Sequence, residues 1–171
     1  DGLDEVWMVV SPLNPHKKKQ NLLPDLHRLY MVNLAVENDP RLKASDIEFK
    51  LPQPSYTVNT LAHLAEKYPD HEFSLIMGED NLRSFHKWKN YEYILEHHNI
   101  FVYPRVYTPN ELENKPEPSP LLEHERFTMV EGPLMKISAS HIRNCIQQGK
   151  NVSYLLTEPV AKYCEEMRFY K

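Results

Sequence analysis

No run of 18 apolar residues occurs in the chain, so no segment is suited to a membrane-spanning helix. No export signal is recognisable either. Cysteine is scarce: Cys145 and Cys164 stand alone, without the spacing of a metal site, which fits reduced thiols in a cytoplasm. An excess of positive charge is also missing. The net charge is −4, and the single basic run, Lys17, Lys18 and Lys19, is a poor footprint for long nucleic acid. That run reads first as a solvated loop, although its lysines suit a small phosphate ligand. Internal repeats and low-complexity tracts are absent. What remains is a chain of 171 residues, 41% hydrophobic and 26% charged, expected to form one domain over residues 1–171 with a proper core.

Short apolar runs alternate with longer amphipathic ones. V-W-M-V-V at residues 6–10 predicts a buried strand, ended by Ser11 and Pro12. Residues 25–37 carry Leu26, Leu29, Tyr30, Asn33, Leu34 and Val36 at helical spacing, closed by Asp39 and Pro40. I-E-F-K-L within residues 46–51 alternates and predicts a strand with one wetter face. Residues 58–68 predict a helix with Leu61, Leu64 and Ala65 inward. F-S-L-I-M at residues 73–77 predicts a second buried strand, after which Gly78 is expected to let the chain turn sharply. A short helix over residues 91–97 and strands over 100–103 and 127–130 follow. A helix over 138–148 capped by Gly149 and a last helix over about 158–167 complete the pattern. Residues 104–126, with Pro109, Pro116, Pro118 and Pro120, read as an irregular surface excursion. The alternation predicts an α/β, Rossmann-like fold: a mostly parallel sheet with helices on both faces. In such folds ligands sit beyond the carboxyl ends of the strands.

The most informative stretch is Ile137-Ser138-Ala139-Ser140-His141-Ile142-Arg143. A helix start there offers N–H groups and a positive dipole end; Ser138 and Ser140 add donors, and Arg143 adds a fixed charge one turn on. That chemistry suits phosphate. Taken alone, the plainer account has Ser138 as an ordinary N-cap and Arg143 as a solvated helix residue. Context favours phosphate, because Ser11 to Lys19, Gly78 to Trp88, Tyr103 to Arg105 and Lys136 to Arg143 all fall at expected strand ends of one crevice. Asp80, two residues past Gly78, suits ribose hydroxyls or, equally, an N-cap. Trp88 suits stacking on a planar heterocycle, or a partly buried structural place. Ser55-Tyr56-Thr57 follows Pro52-Gln53-Pro54, so a rigid loop delivers hydroxyls to a helix start; capping by Ser55 or Thr57 is compatible with binding. In Asn14-Pro15-His16-Lys17, His16 or Lys17 is placed to meet a phosphate, and His16 alone is the usual loop residue. No histidine, His97 and His98 included, has metal-ligand spacing, so no protein metal site is expected.

Together these segments resemble the nicotinate-nucleotide adenylyltransferases, bacterial enzymes of the nucleotidyltransferase superfamily. N-P-H-K at Asn14, R-L-Y-M-V at Arg28, S-Y-T-V-N-T-L at Ser55, M-G-E-D-N-L at Met77 and F-H-K-W at Phe85 look like family signatures in family order. So do I-S-A-S-H-I-R at Ile137 and L-L-T-E-P-V-A-K-Y near the end. The resemblance implies transfer of AMP from ATP, accompanied by Mg²⁺, to nicotinate mononucleotide, giving nicotinate adenine dinucleotide and pyrophosphate in NAD biosynthesis. It implies that Lys17, Ile137, Ser138, Ser140 and Arg143 bind ATP, with Arg143 catalytic, and that Gly78 and Asp80 lie near the ribose. It further implies that Tyr56 and Thr57 line a nicotinate pocket, Trp88 stacks on the pyridine, the backbone at Lys89 meets its carboxylate, and Arg105 lies close to the mononucleotide. Asn59 stands where the family usually has Asp, and reads as a tolerated helix residue. The superfamily's G-x-F-x-P-x-H-x-G-H loop is not found, and residues 6–10 match the family's second strand. The chain is therefore expected to lack an N-terminal strand and helix, and to be impaired in transfer as written. Two rivals stay open: another phosphate acceptor such as phosphopantetheine, or a non-catalytic nucleotide-binding fragment. A homo-oligomer is compatible with the sequence.

Overall fold

A computed structural model describes residues 2–12, 22–107 and 119–171. Asn14, His16, Lys17, the lysine run and residues 108–118 of the proline-rich excursion lie outside these residues. In chain order the elements begin with β1 (Val6–Val9), α1 (Asp25–Val36), β2 (Leu42–Ser45) and α2 (Thr57–Lys67). β3 (Leu75–Gly78), α3 (Glu79–Leu82), α4 (Tyr91–His97), β4 (Ile100–Tyr103) and β5 (Phe127–Met129) follow, then α5 (Ala139–Gln147) and α6 (Glu158–Glu166). They divide into two compact units, one built from Asp1–Ser55 with Ile137–Lys171, the other from Tyr56–Lys136. Every strand pairing among the described residues is parallel, as the alternation predicts.

In the first unit β1 pairs with β2, Val6 opposite Leu42 through Val9 opposite Ser45. The pairing is fastened beyond the ladder, where Val6 N–H donates to the Arg41 carbonyl at 2.7 Å and Val10 N–H to Ser45 at 3.0 Å. Here the structure corrects the sequence. I-E-F-K is a 3-10 turn, Ile47–Lys50, and the strand is L-K-A-S just before it. Ile47 and Glu48 are neighbours and both buried, which the two-residue period of a strand would not allow. Helix α1 packs on β2 and on α6.

Two helices of this unit end alike. After α5, Gly149 takes φ +68°, its N–H donates to Ile146, and Lys150 N–H donates to Cys145. This is the Schellman arrangement, and it confirms the capping role expected of Gly149. After α6, Arg168 adopts φ 53°, with Arg168 N–H on Glu165 and Phe169 N–H on Cys164. The ring of Phe169 meets Tyr163 edge-on at 5.6 Å, the apolar contact that accompanies such an ending.

The second unit holds β4 between β3 and β5. Its core gathers Leu82, Phe85, Ile94, Ile100 and Val102, all essentially sealed, with Val58, Leu61, Met77, Leu95 and Phe127 around them. Ile100 and Val102 are alternate residues of β4 and so enter the same face. Phe85 meets Phe127 and Tyr91 edge-on at 5.8 and 5.9 Å. In α2, Leu61 and Leu64 are inward as expected, but Ala65 is exposed. Val58 and Thr60 are buried instead, so the apolar face lies one turn nearer the helix start. Among the described residues no helix is long and apolar enough to cross a membrane.

Candidate functional site

In the first unit the candidate site is the start of α5. Ser138 is the N-cap, and its Oγ accepts from His141 N–H at 3.1 Å. The plain capping account of Ser138 therefore holds, and it leaves the hydroxyl at the positive end of the helix. Arg143 Nη2 donates to Ser140 Oγ at 3.1 Å, so the two side chains share one face of the first turn as their spacing predicts. Ile137, Ser138 and Ser140 are exposed. Behind Arg143, the Tyr170 ring centre lies 5.9 Å from the guanidinium. Burial pushes the Tyr170 phenol up, against the pull of the Arg143 charge. The result is a steadied cation beside hydroxyls at a helix start, which suits an anion.

Arg28, from the R-L-Y-M-V signature, does a different job. Its guanidinium donates to the Ser11 carbonyl at 2.8 Å and to Leu23 at 3.1 Å, and pairs with Asp25. It ties together the chain on either side of residues 13–21.

In the second unit the end of β3 supplies Gly78 and Asp80. Gly78 has φ −77° and ψ 152°, an extended conformation, so the sharp turn expected of it is not what the glycine provides. Its value is room: a β-carbon there would stand 2.6 Å from Asp80 Oδ1. Asp80 lies inside the first turn of α3, whose N-cap is Gly78, and so does not cap that helix. Thr57 opens α2 and Tyr56 is its N-cap, with no side-chain cap. Ser55 Oγ donates instead to Gln53 Oε1 at 3.1 Å, so capping by Ser55 or Thr57 does not occur.

Four residues assigned to the pyridine end gather in this unit. Tyr56 and Trp88 pack against the same core. Lys89 Nζ lies 4.7 Å from the Tyr56 ring centre, and Thr57 follows Tyr56 directly. Trp88 is half-buried, 5.3 Å from Phe85, so its structural role is real.

After β4, Arg105 is exposed, and its backbone N–H donates to Glu79 Oε2 at 3.1 Å. Tyr107 Oη donates to Glu79 Oε1 at 2.8 Å and accepts from Arg83 Nη2 at 2.6 Å. The Tyr107 ring centre is 5.5 Å from the Arg83 guanidinium and 5.9 Å from that of Arg105. Burial and the Glu79 carboxylate push the Tyr107 phenol up. Sequence reasoning did not single out Glu79, Arg83 or Tyr107. Their contacts span 24 to 28 residues of chain, and no local spacing marks them. Among the described residues, no three His, Cys, Asp or Glu side chains gather closely enough to hold a metal ion.

Residues 2–145 match the family model described as Cytidylyltransferase-like. A Flavobacterium johnsoniae protein named "Probable nicotinate-nucleotide adenylyltransferase" is 55% identical over 169 residues, covering 99% of this chain and 84% of its own. A Flavobacterium psychrophilum protein of the same name matches with the same identity and coverage. Among solved structures, Plasmodium falciparum nicotinic acid mononucleotide adenylyltransferase complexed with NaAD aligns with a TM-score of 0.72. That alignment covers 98% of this chain and 82% of the other at 16% identity, a likeness of fold. The strands, the helix-start serines and the degree of identity agree: the chain belongs to the nicotinate-nucleotide adenylyltransferases of the cytidylyltransferase-like family.

Proposed function

We propose that the protein transfers AMP from ATP to nicotinate mononucleotide, releasing pyrophosphate and forming nicotinate adenine dinucleotide. The observation that carries this reading is the 55% identity, over 99% of the chain, to proteins bearing that name. A phosphate oxygen of the mononucleotide attacks the α-phosphorus of ATP in line. The new P–O bond forms as the bond to the pyrophosphate oxygen breaks, and the pyrophosphate leaves with the electron pair. No covalent intermediate on the protein is required. Catalysis is then positioning and charge stabilisation.

Arg143, held by Ser140 and Tyr170, supplies a fixed positive charge for the ATP phosphates. Ser138, Ser140 and the backbone at Ile137 add polar contacts at the start of α5, and Lys17 adds a further positive charge. Asp80, folded over Gly78, accepts hydrogen bonds from ribose hydroxyls. Tyr56, Thr57, Trp88 and the backbone at Lys89 receive the nicotinate, and Arg105 meets the mononucleotide. A magnesium ion would arrive bound to the triphosphate, with the Arg143 guanidinium and the Ser138 and Ser140 hydroxyls meeting the phosphate oxygens. Such an ion neutralises phosphate charge when bound. Cys145 and Cys164 are both free thiols, which supports a reducing cytoplasm as the place of work.

Calorimetric titration of the chain with ATP and with nicotinate mononucleotide tests the binding assignments. An acceptor panel with the full-length protein, phosphopantetheine included, tests the reaction. Pyrophosphate release with nicotinate mononucleotide alone is expected. Turnover of another acceptor in its place overturns the reading.

A further inference from the structure

We propose that Glu79 is a positioning residue which sets Arg105 to bind the acidic mononucleotide, with Tyr107 and Arg83 bracing the same loop. The inference rests on the activity proposed above.

Glu79 stands between Gly78 and Asp80 at the exit of β3, and its carboxylate turns toward the exit of β4. Its two oxygens take separate tasks. Oε2 accepts the backbone N–H of Arg105 at 3.1 Å, and Oε1 accepts the Tyr107 hydroxyl at 2.8 Å. These bonds fix the loop on both sides of Val106. Hydrogen bonds to a charged acceptor are stronger than neutral ones. Arg83 completes the brace by donating to the same hydroxyl at 2.6 Å. The Tyr107 ring lies near both guanidiniums, which steadies it between two cations.

The Glu79 carboxylate is engaged by the Arg105 N–H and the Tyr107 hydroxyl, and the guanidiniums of Arg83 and Arg105 both lie near the Tyr107 ring. Glu79 directs its oxygens to the loop backbone and the phenol, while the Arg105 side chain is exposed. A ligand phosphate or carboxylate then meets a guanidinium rooted in a fixed backbone, and less ordering is left to the moment of binding. In a merely structural role, Glu79 would affect both substrates and overall stability alike.

The test is steady-state kinetics of the full-length enzyme with each substrate varied in turn, alongside thermal unfolding. Glu79→Ala is expected to raise KM for nicotinate mononucleotide roughly tenfold while KM for ATP changes by less than about twofold. Glu79→Gln, which keeps one acceptor for the Arg105 N–H, should recover part of that loss. Tyr107→Phe keeps the ring and removes only the hydroxyl, so it should raise the same KM about threefold without lowering Tm by more than a few degrees. In Glu79→Ala/Arg105→Ala the losses should not add, because both act through one guanidinium. Equal rises in both KM values, or additive losses in the double variant, overturn the inference. A wild-type enzyme that ignores nicotinate mononucleotide overturns the proposed activity, and this inference falls with it. A wild-type enzyme that turns it over while Glu79→Ala behaves like wild type overturns the inference alone.

Discussion

Asp80 Oδ1 occupies the space a side chain at Gly78 would need, 2.6 Å from where a β-carbon would stand. The backbone at Gly78 is extended, so alanine is conformationally acceptable there. What must move is the carboxylate, the end of a side chain that can rotate. Gly78→Ala should therefore leave Tm nearly unchanged while turning Asp80 away from the ribose position proposed for it. ATP affinity measured by calorimetry should fall roughly tenfold, the value of one charge-assisted hydrogen bond. Unchanged affinity would remove Asp80 from the nucleotide site.

Arg143 carries the largest expected effect on turnover. Losing one charged donor at a transferring phosphoryl group costs about 3 kcal/mol, or roughly a hundredfold in kcat. Arg143→Ala in the full-length enzyme should show that loss with little change in Tm, since its partners Ser140 and Tyr170 need no charge to stay soluble or packed. Wild-type turnover refutes the role.

Ser138 has one observed job, the cap, and one proposed job, the ligand contact, which two substitutions separate. Replacing an N-cap serine by alanine costs about 1 kcal/mol of stability, whereas glycine costs only a few tenths. Both remove the hydroxyl. Ser138→Ala should lower Tm more than Ser138→Gly, while both weaken ATP binding to a similar extent. If affinity follows Tm across the pair, the hydroxyl serves the helix and not the ligand.

Asp39 gives the structure a pH signature at the start of β2. Its carboxylate accepts from Arg41 N–H and Nε at 3.0 Å each and from Nη2 at 2.8 Å. The Arg41 hydrogen bonds hold it at about 2, below its ordinary 3.8. A lowered folded-state value contributes stability that is present above pH 3.8 and lost as pH falls through about 2. Asp39→Asn should therefore unfold more readily than wild type near neutral pH in low salt, with the gap closing between about pH 4 and about pH 2. The pair is exposed, so salt should narrow the gap as well. A gap independent of both pH and salt would rule out the ion pair as its cause.

The features legible in the sequence are those whose partners lie a few residues away. The hydroxyl of Ser138 reaches His141, Arg143 reaches Ser140, and Gly149 closes α5 through Ile146 and Cys145. The apolar run of β4 shows in the same way, because Ile100 and Val102 fill its core face. β1 and β3 also form strands, but Met8 and Ile76 are exposed where fully buried strands were expected, since each strand turns only alternate residues to one side. L-K-A-S carries a weaker mark. It alternates apolar and polar residues over only four positions and has no β-branched side chain, and becomes β2 because β1 offers it a parallel edge. The alternation in I-E-F-K-L misleads for the converse reason: burial of both Ile47 and Glu48 is met by a 3-10 turn.

Composition and motif order thus determined the α/β class, the family and the clustering of Ser138, Ser140 and Arg143 that the proposed phosphate site uses, since these follow from short-range chemistry. Tertiary structure decided what those residues lean on: Asp80 over Gly78, Tyr170 beside Arg143, Lys89 over Tyr56, and the Glu79 brace beneath Arg105. In most of these the partner arrives from far along the chain, or, as with Asp80, through a side-chain direction that sequence spacing does not specify. Only the folded backbone supplies the distance and the direction in which a hydrogen bond or a ring can act.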